Sequence, residues 1–385
     1  MKVIKNAVLY TMETINKDVG YVAFNEGKIT DVGRDFDPTK FAGYDIIDAG
    51  GKMLTPGLIE PHSHIGIMEE GIQFEGSDGN ELTHPIYPEL RGLDALNPND
   101  TAFNETIKNG ITTLVSGPGS GNVIGGTFTA LKPYGKTVDD MIIKEEVCMK
   151  MALGENPKRV YSGQKKSPST RMASAALIRE WLTRAKAYHI AKKQSENGKN
   201  TPAFDMKLES LSRVFDGLLV KVHAHRSDDI MTAIRIAKEF DIDMTIEHGT
   251  ESHLIANSVK ASKIPVILGP TMGAASKYET KNRSFDSARI LDEHGIEFAI
   301  MTDHPVVPIQ NNLIQAALFV KAGLSKEAAL KALTINAAKL NRLDDRVGSI
   351  KVGKDADLVL WSGDIFDIMT RPEKVFIDGK AFKTS

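Results

Sequence analysis

Between about residues 55 and 345 the chain alternates short apolar runs with segments of helical periodicity. Eight runs are strand-like: 57–62, 111–115, 127–131, 147–153, 218–223, 243–248, 264–268 and 297–302. Nearly continuous apolar strands suit parallel strands buried on both faces. Between them, Ile230, Ala233, Ile234 and Ala237 form one helical stripe behind Ser227 as N-cap. Ile178, Trp181, Leu182, Ala185 and Tyr188 form another, in a long helix that runs into a polar tail near Gly198. Gly295 and Gly323 stand where C-terminal caps are expected. Eight strands alternating with helices predict a closed (β/α)8 barrel, a TIM barrel, rather than an open doubly wound sheet.

The ends of the chain read differently. Residues 1–54 and 346–385 offer short β-prone runs separated by turns such as Asn25-Glu26-Gly27, and neither end has the apolar residues for a core of its own. We expect both to join in one small β-sandwich domain beside a barrel spanning 55–345. A length of 385 residues accommodates that pair. The formal charge of −2, with both signs interspersed, leaves no footprint for nucleic acid or an anionic membrane. No apolar run approaches the ~20 residues of a bilayer span, and the N-terminus does not read as a secretory signal. Cys148 is the single cysteine, in an apolar run, so it is expected to be a buried, inert thiol in a reducing, cytoplasmic setting.

Chemistry concentrates at the strand ends. Pro61-His62-Ser63-His64 closes the first run, and side chains at i and i+2 of a strand share a face. In a barrel that face is the interior, and the C-terminal ends of the strands carry the active site. His223 closes the fifth run, His248 the sixth, and Asp303 follows the eighth. One such histidine is commonly structural. Three strand ends bearing histidine and a fourth bearing aspartate point to a metal centre.

These residues, with Pro56-Gly57-Leu58-Ile59-Glu60 before them and Gly353-Lys354-Asp355-Ala356-Asp357-Leu358-Val359 near the end, resemble the amidohydrolase superfamily, in particular its imidazolonepropionase-related hydrolases. The resemblance spans essentially the whole chain. It implies a barrel with one or two divalent ions, most simply Zn, with Mn, Fe or Ni as alternatives. It further implies hydrolysis of an amide or related C–N bond by metal-activated hydroxide. By position, His62, His64, His223, His248 and Asp303 are the implied ligands, with Asp303 also the general base and acid. Dinuclear members add a bridging acid. Glu155, just beyond the fourth run, is the expected bridge, and a carboxylated Lys150 is the alternative. His225 shares a face with His223 and is a candidate catalytic or substrate-contacting group. A homo-oligomer acting on a small molecule is also implied.

Two competitors carry distinct signatures. A deaminase on this scaffold usually places a glutamate shortly after the fifth-strand histidine, whereas this chain reads His223-Ala224-His225-Arg226-Ser227-Asp228. A metal-free, non-enzymatic scaffold would have shed ligands that are intact here. The glycine-rich stretch 116–126 lacks the Gly-Lys-Ser/Thr ending of a phosphate loop and reads as an active-site loop. Arg91, Arg171 and His84 fall in expected βα loops, where the arginines are candidates to hold a substrate carboxylate.

Overall fold

The computed structural model describes residues 1–13, 18–195, 201–274 and 276–384. Two eight-stranded sheets organise it. The first is built from both ends of the chain: β1 (Lys2–Leu9), β2 (Val19–Asn25), β3 (Lys28–Gly33), β4 (Asp45–Asp48) and β5 (Met53–Pro56) from one end. The other end supplies β14 (Leu358–Trp361), β15 (Pro372–Ile377) and β16 (Lys380–Phe382). Strand β5 is the joint, parallel to β1 on one edge and antiparallel to β14 on the other. Alternation along the strands gives two apolar faces. Ile4, Val22, Phe24, Leu54, Leu358 and Phe376 pack together on one, while Val3, Tyr21 and Ala23 pack on Phe41 on the other.

The central sheet runs in chain order through β6 (Leu58–Ser63), β7 (Ile111–Ser116), β8 (Ile124–Leu131), β9 (Ile142–Ala152), β10 (Leu219–Ala224), β11 (Met244–His248), β12 (Val266–Leu268) and β13 (Phe298–Ile300). All eight expected strands are present. Its edges approach each other: the Thr302 amide donates to both oxygens of Glu60 at 3.1 Å, and the His64 amide donates to the His304 carbonyl at 2.9 Å. The result is a barrel-like mixed sheet. One expectation needs correction: β8 is antiparallel to both β7 and β9, so the sheet is not the all-parallel set of a regular (β/α)8 barrel. An apolar run carries no direction, and the connections flanking β8 hold no α-helix.

Helices cover the outside. In the helix Ser227–Phe240, Ile230, Ala233, Ile234 and Ala237 are all buried, as the stripe requires. Its cap differs from expectation, because the Ser227 amide donates to the Glu251 carboxylate at 2.7 Å instead of the Ser227 hydroxyl capping the turn. The long helix Arg171–Gln194 buries Ile178, Leu182, Ala185 and Tyr188, and the polar tail near Gly198 lies outside the described residues. Among the described residues no helix is long and apolar enough to cross a membrane.

Candidate metal centre

The strand-end residues meet. Among the described residues two groups have ligand atoms within 4.8 Å of one another, His62 with His64 and Asp303, and His223 with His225 and His248. The rings of His62 and His248 stand 5.8 Å apart, so the two groups adjoin. The five expected ligands are buried, none more than 8% exposed. Two of them are held in an uncommon backbone conformation: His248 has φ of +73° and Asp303 of +54°. Non-glycine residues persist in that region only where their surroundings over-determine them.

The imidazoles are oriented from behind. His62 Nδ1 meets Glu247 Oε2 at 2.5 Å, His64 Nδ1 the Gly117 carbonyl at 2.7 Å, and His248 Nδ1 the Gly269 carbonyl at 2.8 Å. His225 Nδ1 meets the Thr250 hydroxyl at 2.7 Å. Such contacts fix the tautomer and leave Nε2 as the free donor atom, the arrangement typical of metal-bound histidine. Glu247 is itself anchored by the Thr245 hydroxyl at 2.5 Å and the buried Lys221 ammonium at 3.3 Å.

A cation fits this set. His64 Nε2 and His62 Nε2 lie 3.2 and 3.5 Å from Asp303 Oδ1. Two ligands at ~2.1 Å on one tetrahedral ion stand about 3.4 Å apart. His223 is more telling: both its ring nitrogens are buried without a hydrogen-bond partner, and Glu279 Oε1, 3.6 Å from Nε2, is equally unpartnered. Buried polar atoms are rarely left so. Burial, and next the charge of Lys150, hold His62 and His223 well below the ordinary imidazole range. For His225 and His248 the causes are burial and then His223. Neutral imidazole is the metal-binding form. Burial raises Asp303, yet the His64 hydrogen bond and charge bring it below the usual carboxylate range.

The two candidates for a bridging ligand are placed differently. Glu155 is the first residue of the helix Glu155–Gly163, and its carboxylate accepts from the Glu279 amide at 3.4 Å, away from the imidazoles. Lys150 is the residue aimed inward, with Nζ 3.2 Å from His62 Nε2. It sits opposite Lys221, two residues below the level of His223. That deficit is roughly 6.6 Å of strand, which the four-carbon stem spans. Burial pulls its pKa down to about 8.

A cavity of about 380 Å³ opens over the cluster, lined by His64, His223, His225, His248 and Asp303 together with Gly119 to Gly121 of the glycine-rich stretch. Arg91, Arg171 and His84 do not line it: Arg91 pairs with Asp94 at 2.6 Å and Arg171 with Asp229 at 3.0 Å. His304 turns away, its Nδ1 accepting from the Ile309 amide at 3.1 Å. Cys148 is buried in the barrel as expected, its thiol pushed up to about 12 by burial.

Residues 53–382 match the Amidohydrolase family. The chain belongs to it. An amidohydrolase from Thermotoga maritima MSB8, of known structure, is 41% identical with a TM-score of 0.94, each chain covered in full. The present chain is 27% identical, over 98% of its own length, to the amidohydrolase tasK of Hapsidospora irregularis, of which it spans 43%. Identity to an imidazolonepropionase of Bacillus cereus is 25%, over 89% of this chain and 82% of that one. A prolidase complexed with N-methylphosphonate-L-proline shares the fold at 16% identity and a TM-score of 0.62. The protein is therefore a hydrolase of carbon–nitrogen bonds, with histidine and aspartate groups able to bind a divalent metal.

Proposed function

We propose that this amidohydrolase cleaves the amide bond of a small substrate, a cyclic amide, an N-acyl amino acid or a dipeptide-like molecule. Divalent ions, most simply zinc, would be held by His62, His64, His223, His248 and Asp303, with Lys150, once carboxylated by carbon dioxide, as the bridging ligand. The single observation behind this reading is the meeting of these groups beneath one cavity, with both His223 nitrogens buried and unpartnered.

A bound divalent ion supplies Lewis acidity and brings the pKa of a coordinated water from 15.7 towards ~7. The chain's own groups do the rest. Asp303 stands beside His62 and His64 as an ionised carboxylate, placed to take a proton and return it to the departing amine. Glu247 and the Gly117 carbonyl hold the two imidazoles in register while this happens. His225, on the cavity wall with Nδ1 held by the Thr250 hydroxyl, is placed to contact and orient the substrate. Around this centre, we read residues 55–345 as a (β/α)8-type barrel with one reversed strand. We read 1–54 with 346–385 as a β-sandwich domain beside it.

The test is to strip the protein of metal, reconstitute it with zinc or manganese, and assay free amine across cyclic amides, N-acyl amino acids and dipeptides. Metal-dependent amine release is expected. Undiminished turnover in the stripped protein sinks the reading.

A further inference from the structure

The cavity wall carries more basic than acidic side chains. Arg159, Lys277 and Arg283 line it, against one lining carboxylate, Asp303, which faces His62 and His64. Arg283 is half-buried. Its Nε is buried without a hydrogen-bond partner, and its Nη1 reaches only the carbonyls of Ala274 at 3.1 Å and Gly273 at 3.4 Å. The exposed Arg159 side chain makes no hydrogen bond or ion pair among the described residues. Lys277 donates to Asn156 Oδ1 at 2.6 Å and forms a long ion pair with Glu279 Oε1 at 3.9 Å, beyond hydrogen-bond distance. An ammonium has three protons to give, so two are left. Other arginines near the barrel mouth show the contrast, since Arg171 and Arg226 are paired to aspartates at 3.0 and 2.8 Å.

The placement is also specific. Glu279 Oε1 lies 3.9 Å from the Lys277 ammonium and 3.6 Å from His223 Nε2, so one carboxylate oxygen touches both the ammonium and the imidazole cluster. A small molecule that rests its negative end there lays its next bond over the ligand histidines. A guanidinium fork with a free Nε takes a planar carboxylate side-on, through Nε and a terminal nitrogen. A cavity of about 380 Å³ admits a molecule the size of an amino-acid derivative.

We propose that the substrate is an anion: a small amide whose carboxylate is bound by Arg283 and Lys277, with Arg159 drawing it to the mouth. This rests on the reading of the site as an amide hydrolase and narrows its substrate class. Neutral cyclic amides are thereby excluded as good substrates, while N-acyl amino acids and dipeptide-like acids remain.

The probes are N-acetyl-L-alanine and N-acetyl-L-alaninamide, which share the amide and differ in charge, titrated calorimetrically into the metal-loaded protein. The acid is expected to bind at least about tenfold more tightly, and less tightly as salt rises. In Arg283→Met/Lys277→Met that preference should vanish while affinity for the neutral amide and metal content stay within about twofold. Arg283→Lys should restore part of it. Equal binding of the two probes by the unmodified protein overturns the proposal, as does their failure to bind or a preference that survives the double substitution. A preference for the acid without amine release from any amide leaves the subsite standing and removes the hydrolase reading instead.

Discussion

The two halves of the metal centre are built to different plans. On the His62 and His64 side each imidazole is braced by a protein acceptor, and Asp303 already faces both Nε2 atoms. On the other side His225 and His248 are braced, but His223 satisfies neither nitrogen, and Glu279 Oε1 waits opposite it. The first half is preorganised by the barrel. The second is completed only by what binds there, so occupancy should matter more to its order than to that of the first.

The largest effect expected is loss of the braced half: His62→Ala/His64→Ala should lower metal-dependent amine release by several powers of ten, since it removes two of the proposed ligands. Residual turnover above about one per cent would show that the other half suffices. Next, Glu247→Gln removes the brace of His62 and leaves the buried Lys221 without its carboxylate. Metal affinity should fall about 10–100-fold, read by competition with a chelator. Stability in urea should fall by about 3–5 kcal/mol, because an uncompensated buried charge remains.

The metal-free protein should also be acid-labile. His62, His223, His225 and His248 are held well below the ordinary imidazole value, and His304 is pulled to about 4 by burial. Between the unfolded value of about 6.5 and these folded values the unfolded chain holds more protons. Stability is therefore complete above about pH 6.5 and drains as pH falls, by up to about 1.4 kcal/mol per pH unit for each group. Denaturation midpoints of the stripped protein from pH 8 to pH 4 read this directly, and a flat profile would contradict the burial of neutral imidazoles. The smallest effect belongs to Glu155→Ala, which should leave bound metal within about twofold of the unmodified protein, whereas Lys150→Met should lose an ion. The reverse outcome would return Glu155 to the bridge.

What was legible in the sequence follows from periodicity. The eight strands and the convergence of His62, His64, His223, His248 and Asp303 came from apolar runs and the positions at which those runs end. The reversal of β8 was not legible, because a buried run looks alike in either direction. Lys150 lies two residues below His223 in the register across the sheet, so position along its own strand does not show that its side chain reaches the cluster. A better signal was available: Glu60, Lys150, Lys221 and Glu247 are ionisable residues within the barrel strands, and all four are buried. Glu279, Lys277 and Arg283 lie on the loop after β12, whose conformation no local pattern fixes.

The terminal sheet has a consequence for biosynthesis. Strand β5 leaves the ribosome early, but its partner β14 follows about 300 residues later, Leu358 opposite Pro56. Until then the strands β1 to β5 present an open edge and an incomplete apolar face in a nascent chain. Closure of so long a loop is slow, and the barrel lies in between. Assembly of the end-to-end sheet should therefore be the last step of folding, and chaperone dependence should track that edge rather than the metal centre.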